Sequence, residues 1–174
     1  MVGANQNKDE QWSKLEGNKI KVNVDGAIFQ SNGSYGIGVV ARDRNGQLIE
    51  AFTALRVGNV QPAIVESFGV KEALSWIKGK NWSNVVIETD SIVSVQAISS
   101  SVFMPSVFSM LISDCKRLLN CLVDVSVSLV SRSANKTGHC LACGSCYWSN
   151  RIFNLSNVPS VIHPSIMADL AIIS

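Results

Sequence analysis

Three acidic side chains stand where packing alone would not put them. Asp25 closes the alternating run KVNVD and is followed at once by Gly26, and Asp90 closes the apolar run VVIETD. Glu66 falls on the apolar side of AIVESFGVKEALSWI, a segment with helical spacing. An ionised carboxylate on a core face costs several kcal/mol unless it meets a counter-charge or a cation. No basic residue shares the stripe of Glu66 one turn away. If the strands carrying Asp25 and Asp90 are parallel neighbours, both acids reach the carboxyl edge of one sheet, where open α/β folds bind their ligands. Three such acids repel one another, and the simplest neutraliser is a hard divalent ion held by oxygen. Two such ions about 4 Å apart would build an in-line phosphoryl-transfer site, one activating water and the other stabilising the leaving oxygen.

Each acid also has an ordinary explanation. Asp25-Gly26 is a turn dipeptide. Asp90-Ser91 is a helix N-cap, because a carboxylate there accepts backbone N–H groups. An acid near a helix start is favoured by the dipole, although that does not place Glu66 on the apolar stripe.

The elements that must position these acids can be read from periodicity. Ile20, Val22 and Val24 share one face of a strand, leaving Lys21, Asn23 and Asp25 on the other, with Asp25 at its end. A second strand near 36–42 meets a third near 47–54 across Arg44-Asn45-Gly46, a hairpin signal because Asn and Gly both tolerate positive φ. After Gly58 and Pro62 the period becomes helical, with Val70, Ala73, Leu74 and Ile77 on one stripe and Gly79 as a stop. Val85-Val86-Ile87 suits a strand buried on both faces, and strand, helix and strand make a right-handed crossover between parallel neighbours. Residues 91–100 and 106–120 are helical pieces separated by Pro105. Val123, Val125, Val127 and Leu129 alternate with Asp124, Ser126 and Ser128 as a half-buried strand, and Ser133 caps a last helix from about 134 to about 146.

Composition limits the function classes. The 174 residues suffice for one domain with a real core, and 47% hydrophobic with 16% charged residues excludes a solvated disordered chain. A net charge of +2 is too small to attract nucleic acid by field alone, so a polyanion partner must be held by local arrangement or bound metal. No stretch approaches the roughly 18 apolar residues of a membrane span, and the polar start MVGANQNKDEQ lacks the apolar core of a signal peptide. Five cysteines between Cys115 and Cys146 fit a reducing compartment, so an intracellular protein is expected. The expected organisation is a polar arm over 1–18, a folded domain over 19–147 and a tail over 148–174 containing Pro159 and Pro164.

In order, KVNVDGA, AIVESFGVKEALSWI, VVIETDS and RSANKTGHCLA resemble the type 1 ribonuclease H family, in particular plant-type ribonuclease H-like domains related to non-LTR retroelements. The tail PSVIHPSIMADLAII is also similar to the short apolar ending of such proteins. No single motif is specific; four in the right order carry the resemblance. It implies an α/β ribonuclease H-like fold, a five-stranded mixed sheet of order 3-2-1-4-5 flanked by helices. It further implies that Asp25, Glu66 and Asp90 bind two Mg2+ ions, with Mn2+ as a common substitute. The implied reaction is endonucleolytic hydrolysis of the RNA strand of an RNA–DNA hybrid, leaving a 3′-hydroxyl, by a protein expected to be monomeric.

The sequence departs from this family in several places. His139 stands where the fourth acid is expected. Imidazole is a poor ligand for Mg2+ and a better one for manganese or zinc, which weakens the second metal site; alternatively, imidazole carries protons near neutral pH. Asn135 matches a family asparagine and is expected to hold the start of the last helix. Ser131, Arg132 and Ser133 occupy the loop where bacterial relatives place a mobile histidine. Pro62, Ala63 and Ile64 replace polar residues that read 2′-hydroxyls, and no basic, tryptophan-bearing protrusion lies between 91 and 120. Hybrid affinity is therefore expected to be modest and salt-sensitive. Cys140, Cys143 and Cys146 have a metal-thiolate spacing, with His139 as a conceivable fourth zinc ligand, yet small residues every third position also suit a helix packed closely on a sheet. The rival to the nuclease is a catalytically weak or inactive module of the same fold that binds nucleic acid or protein.

Overall fold

The computed structural model describes residues 18–101 and 105–171; most of the expected N-terminal arm lies outside them. Strands β1 (Ile20–Phe29), β2 (Ser34–Arg42) and β3 (Leu48–Val57) precede helix α1 (Pro62–Gly79) and strand β4 (Val85–Thr89). Helices α2 (Ile92–Ser99) and α3 (Val107–Asn120), strand β5 (Val125–Leu129) and helix α4 (Lys136–Gly144) follow. Strand β6 (Ile152–Phe153) and helix α5 (His163–Ala171) complete the described chain. None of the described helices is long and apolar enough to cross a membrane.

The sheet order is β5-β4-β1-β2-β3-β6. The expected 3-2-1-4-5 arrangement is present, but the count of five strands needs correction, because Ile152 and Phe153 pair antiparallel with Phe52 and Ala51 as a sixth strand. Two residues of β structure leave almost no periodicity to read from sequence. β1 is parallel to β4, and β4 to β5, whereas β1, β2 and β3 form an antiparallel meander.

Two apolar layers cover the sheet. On one face Val22, Val24, Ile37, Val39 and Ala41 pack with the stripe expected for α1, whose Val70, Ala73, Leu74 and Ile77 are all fully buried. On the other, Val40, Leu48 and Ala51 pack with Leu141 of α4, Phe153 of β6, and Val158, Ile162 and Ile166. The segment after residue 147 thus contributes a strand and core side chains. Its attachment includes a hydrogen bond from the Thr53 hydroxyl to the Trp148 carbonyl. Helix α4 lies close on β2 because Gly38 has no Cβ: one there would strike the backbone nitrogen of Ala142 and the side chain of Leu141.

Local departures from the sequence reading have local causes. β1 does not end at Asp25 but continues to Phe29, because β2 pairs with it from Lys21 to Phe29. In the hairpin only Gly46 takes positive φ (78°), while Asp43 Oδ1 accepts the N–H groups of Asn45 (2.8 Å) and Gln47 (2.9 Å). Asp124 has φ 52°, so β5 begins at Val125 and Val123 stays exposed. Ser131, not Ser133, caps the chain before α4: its Oγ accepts the Ala134 N–H of a 3₁₀ turn over Arg132–Asn135.

A buried polar cluster occupies the α4 face of the sheet. Lys21 Nζ lies 2.9 Å from Glu88 Oε1, Asn23 Nδ2 donates to Glu88 Oε2 at 2.8 Å, and the Arg42 guanidinium donates to Asn23 Oδ1. Burial lowers the Arg42 pKa to about 10, partly offset by the charge of Glu88. These contacts join β1, β2 and β4 immediately below the ends that carry the candidate site.

Candidate metal centre

Asp25 is placed by the sheet register. Ile20 pairs with Val85 and Asn23 with Glu88, so where β4 stops at Thr89, β1 has just reached Asp25, and Asp90 emerges beside it. Glu66 arrives from the other side of the crossover, one turn into α1, which starts at Pro62. Its approach requires Gly26. A Cβ there would stand 2.6 Å from Val65 Cγ1 and 3.2 Å from Glu66 Oε1. The glycine after the first acid is therefore a contact requirement between strand and helix, not a turn residue.

Asp90 is not the cap of α2. Ser91 is, its Oγ accepting the Ser94 N–H at 3.3 Å, and the Ser91 N–H donates to Thr89 Oγ1 at 3.2 Å. Asp90 is left to join the other acids. Carboxylate oxygens of Asp25, Glu66 and Asp90 lie within 4.8 Å of one another, the only such cluster of metal-binding side chains among the described residues.

The electrostatics follow from that crowding. Burial and then the negative charges of Asp25 and Asp90 push the Glu66 carboxyl up to about 8. Asp25 is also raised, by burial first and by Asp90, against the pull of its hydrogen bond to His139. Asp25 Oδ1 accepts the Gly26 N–H at 2.9 Å, and Oδ2 lies 2.7 Å from His139 Nδ1. Glu66 Oε2 is buried with no partner among the described residues. Like charges held together, an orphaned buried oxygen and an all-oxygen donor set fit a hard divalent cation.

The residues around the cluster come from the start of the last helix. Asn135 Nδ2 donates to the Val24 carbonyl at 2.8 Å, fastening that start to β1 next to Asp25. His139, half exposed, reaches Asp25 from the second turn of the same segment. Arg132, largely exposed, places Nε 3.2 Å from Asp90 Oδ2. From sequence Arg132 is only a loop residue, since nothing in the spacing shows that the turn before α4 folds back over Asp90. The three cysteines do not converge. Cys143 Sγ faces His139 Nε2, Cys140 Sγ faces Ser165 Oγ at 3.5 Å, and Cys146 Sγ is directed at the Cys143 carbonyl.

The model of the reverse transcriptase-like family matches residues 23–144, well over half of the chain. The chain belongs to this ribonuclease H-like family. No curated protein matches its sequence. Among solved structures it is similar to the RNase H1 of the halophilic archaeon Halobacterium salinarum, with 17% identity, TM-score 0.67, and coverage of 75% of this chain and 99% of that one. The N-terminal RNase H domain of a Mycobacterium tuberculosis protein gives 18% identity and TM-score 0.65 over 76% of this chain and 96% of that one. LC11-RNase H1, solved in complex with an RNA/DNA hybrid, gives 20% identity and TM-score 0.62 over 71% and 94%. At these identities the likeness establishes the fold, which is the family's mixed α/β architecture.

Proposed function

We propose that the protein is a ribonuclease H-type endonuclease that hydrolyses the RNA strand of RNA–DNA hybrids, with Asp25, Glu66 and Asp90 holding Mg2+ or Mn2+. The observation that carries this reading is the meeting of three carboxylates from β1, α1 and the end of β4 within 4.8 Å. Bound divalent ions would supply an activated water and charge stabilisation for the leaving oxygen. Asp25, fixed within β1, and Asp90, just past the end of the neighbouring β4, set the spacing of the site. Glu66 loses its proton when a cation offsets the burial and the repulsion that now raise its pKa. His139 orients Asp25 through Oδ2, and the exposed guanidinium of Arg132 offers its remaining N–H groups to a phosphodiester at the rim.

One observation favours a second reading, a weakly active or inactive module of the same fold that binds nucleic acid or protein. His139 Nδ1 lies 2.7 Å from an oxygen of Asp25, at the position where the family resemblance implies a fourth acid. Cleavage of a labelled RNA–DNA hybrid in Mg2+ and then Mn2+, alongside Asp25→Asn, separates the two. Cleavage lost in the variant supports the nuclease; no cleavage in either metal supports the module.

A further inference from the structure

His139 and Cys143 lie one helical turn apart on the outer side of α4, and their donor atoms already meet, with Cys143 Sγ 3.5 Å from His139 Nε2. A tetrahedral zinc ion takes imidazole nitrogen at about 2.0–2.1 Å and thiolate sulfur at about 2.3 Å, so two such ligands of one ion stand about 3.5 Å apart. The pair has that separation without any change of rotamer. The opposite ring nitrogen is also held: Nδ1 lies 2.7 Å from Asp25 Oδ2. In the tautomer that donates Nδ1–H to this carboxylate, Nε2 is left unprotonated on the side of Cys143, where an ion lying off the N–S line can meet both donors. A carboxylate behind a histidine is the common support of a metal-bound imidazole, because it fixes the tautomer and raises ligand basicity.

We infer that His139 Nε2 and Cys143 Sγ are the protein ligands of a zinc-class site at the rim of the carboxylate cluster. Cys143 is exposed and His139 half exposed, so water completes the coordination. Binding forms a Zn–N and a Zn–S bond, and the thiol proton leaves to solvent. Donor chemistry sorts the ions: nitrogen and sulfur select Zn2+ or Cd2+, whereas the all-oxygen cluster of Asp25, Glu66 and Asp90 selects Mg2+. The site uses one thiol and not the whole cysteine run, since Cys140 and Cys146 point to other partners. Its effect on cleavage would rest on the proposed nuclease reading, because Asp25 belongs to both assemblies. Binding itself does not, and it is read without any activity.

The test uses the reduced full chain carrying Cys121→Ser, which removes an exposed thiol on another helix. Cd2+ is titrated while the thiolate-to-metal charge-transfer absorption is followed, and Zn2+ affinity is measured by competition with a chelating dye. Cys143→Ser should abolish the absorption and weaken Zn2+ by at least about tenfold, the scale that loss of even an outer-shell partner can reach. His139→Gln should weaken Zn2+ similarly, and Cys140→Ser with Cys146→Ser should leave both signals in place. Unchanged binding in Cys143→Ser or in His139→Gln would overturn the inference. Loss of binding in the Cys140/Cys146 double variant would also overturn it, in favour of a thiolate cluster.

Discussion

Replacing Glu66 by glutamine should stabilise the metal-free protein while removing its response to magnesium. The folded protein holds the Glu66 proton up to a pH of about 8, against an ordinary value of 4.5, because burial and the charges of Asp25 and Asp90 oppose ionisation. A folded-state pKa above the unfolded one gives stability that is complete below the unfolded value and is lost as pH rises through the folded one. At pH 7 the unfolded chain ionises freely at this residue and the folded protein does not. The span from 4.5 to 7, at about 1.4 kcal/mol per pH unit, makes the cost about 3 kcal/mol. For a domain of this size that corresponds to roughly 6–12 °C in melting temperature. Thermal melts in a chelator from pH 5 to pH 9 should therefore show the parent protein losing more stability with rising pH than Glu66→Gln, in which the raised Asp25 still contributes a smaller slope. Added Mg2+ should raise the parent's melting temperature most at high pH, where the vacated proton site favours a cation, and should leave Glu66→Gln nearly unmoved. Equal pH slopes for the two proteins in chelator would refute the raised Glu66 pKa that burial and repulsion produce, and an equal response to Mg2+ would refute the assignment of Glu66 as a ligand.

Two further substitutions probe how the site is held and completed. Gly38→Ala would drive a methyl group into the Ala142 backbone and Leu141, lifting α4 from β2, and should lower stability by about 1–3 kcal/mol in denaturant melts; an unchanged midpoint would show that the helix can yield. His139→Asp replaces the partner of Asp25 Oδ2 by another negative charge, so the metal-free protein should lose about 1–2 kcal/mol. Mg2+-dependent cleavage of a hybrid should rise in the same variant, and an unchanged or lower rate would mean that His139 is not a weakened fourth ligand.

Much of the fold was legible because burial writes itself into periodicity. The stripe Val70, Ala73, Leu74 and Ile77 located α1 and the face it buries, and the alternation of Ile20, Val22 and Val24 located β1. The three acids stood out for a related reason. A charge on an apolar stripe, or at the end of an apolar run, contradicts its neighbours, and such contradictions collect at functional sites. What sequence could not state was contact between remote segments. That Asp25 lies inside a strand rather than at its tip depends on β2 pairing as far as Phe29 while β4 stops at Thr89, which is a matter of register.

Other features were likewise decided only by the folded chain. The service of Gly26 to Glu66, the reach of Arg132 to Asp90, and the choice of Cys143 alone to face His139 arise from how α1 and α4 approach the sheet. Intrinsic patterning determined which residues had to be inside and which acids were out of place. Distances of a few ångströms between side chains as far apart in the chain as Asp25 and His139 were set by the packing of whole elements, and no local sequence window carries that information.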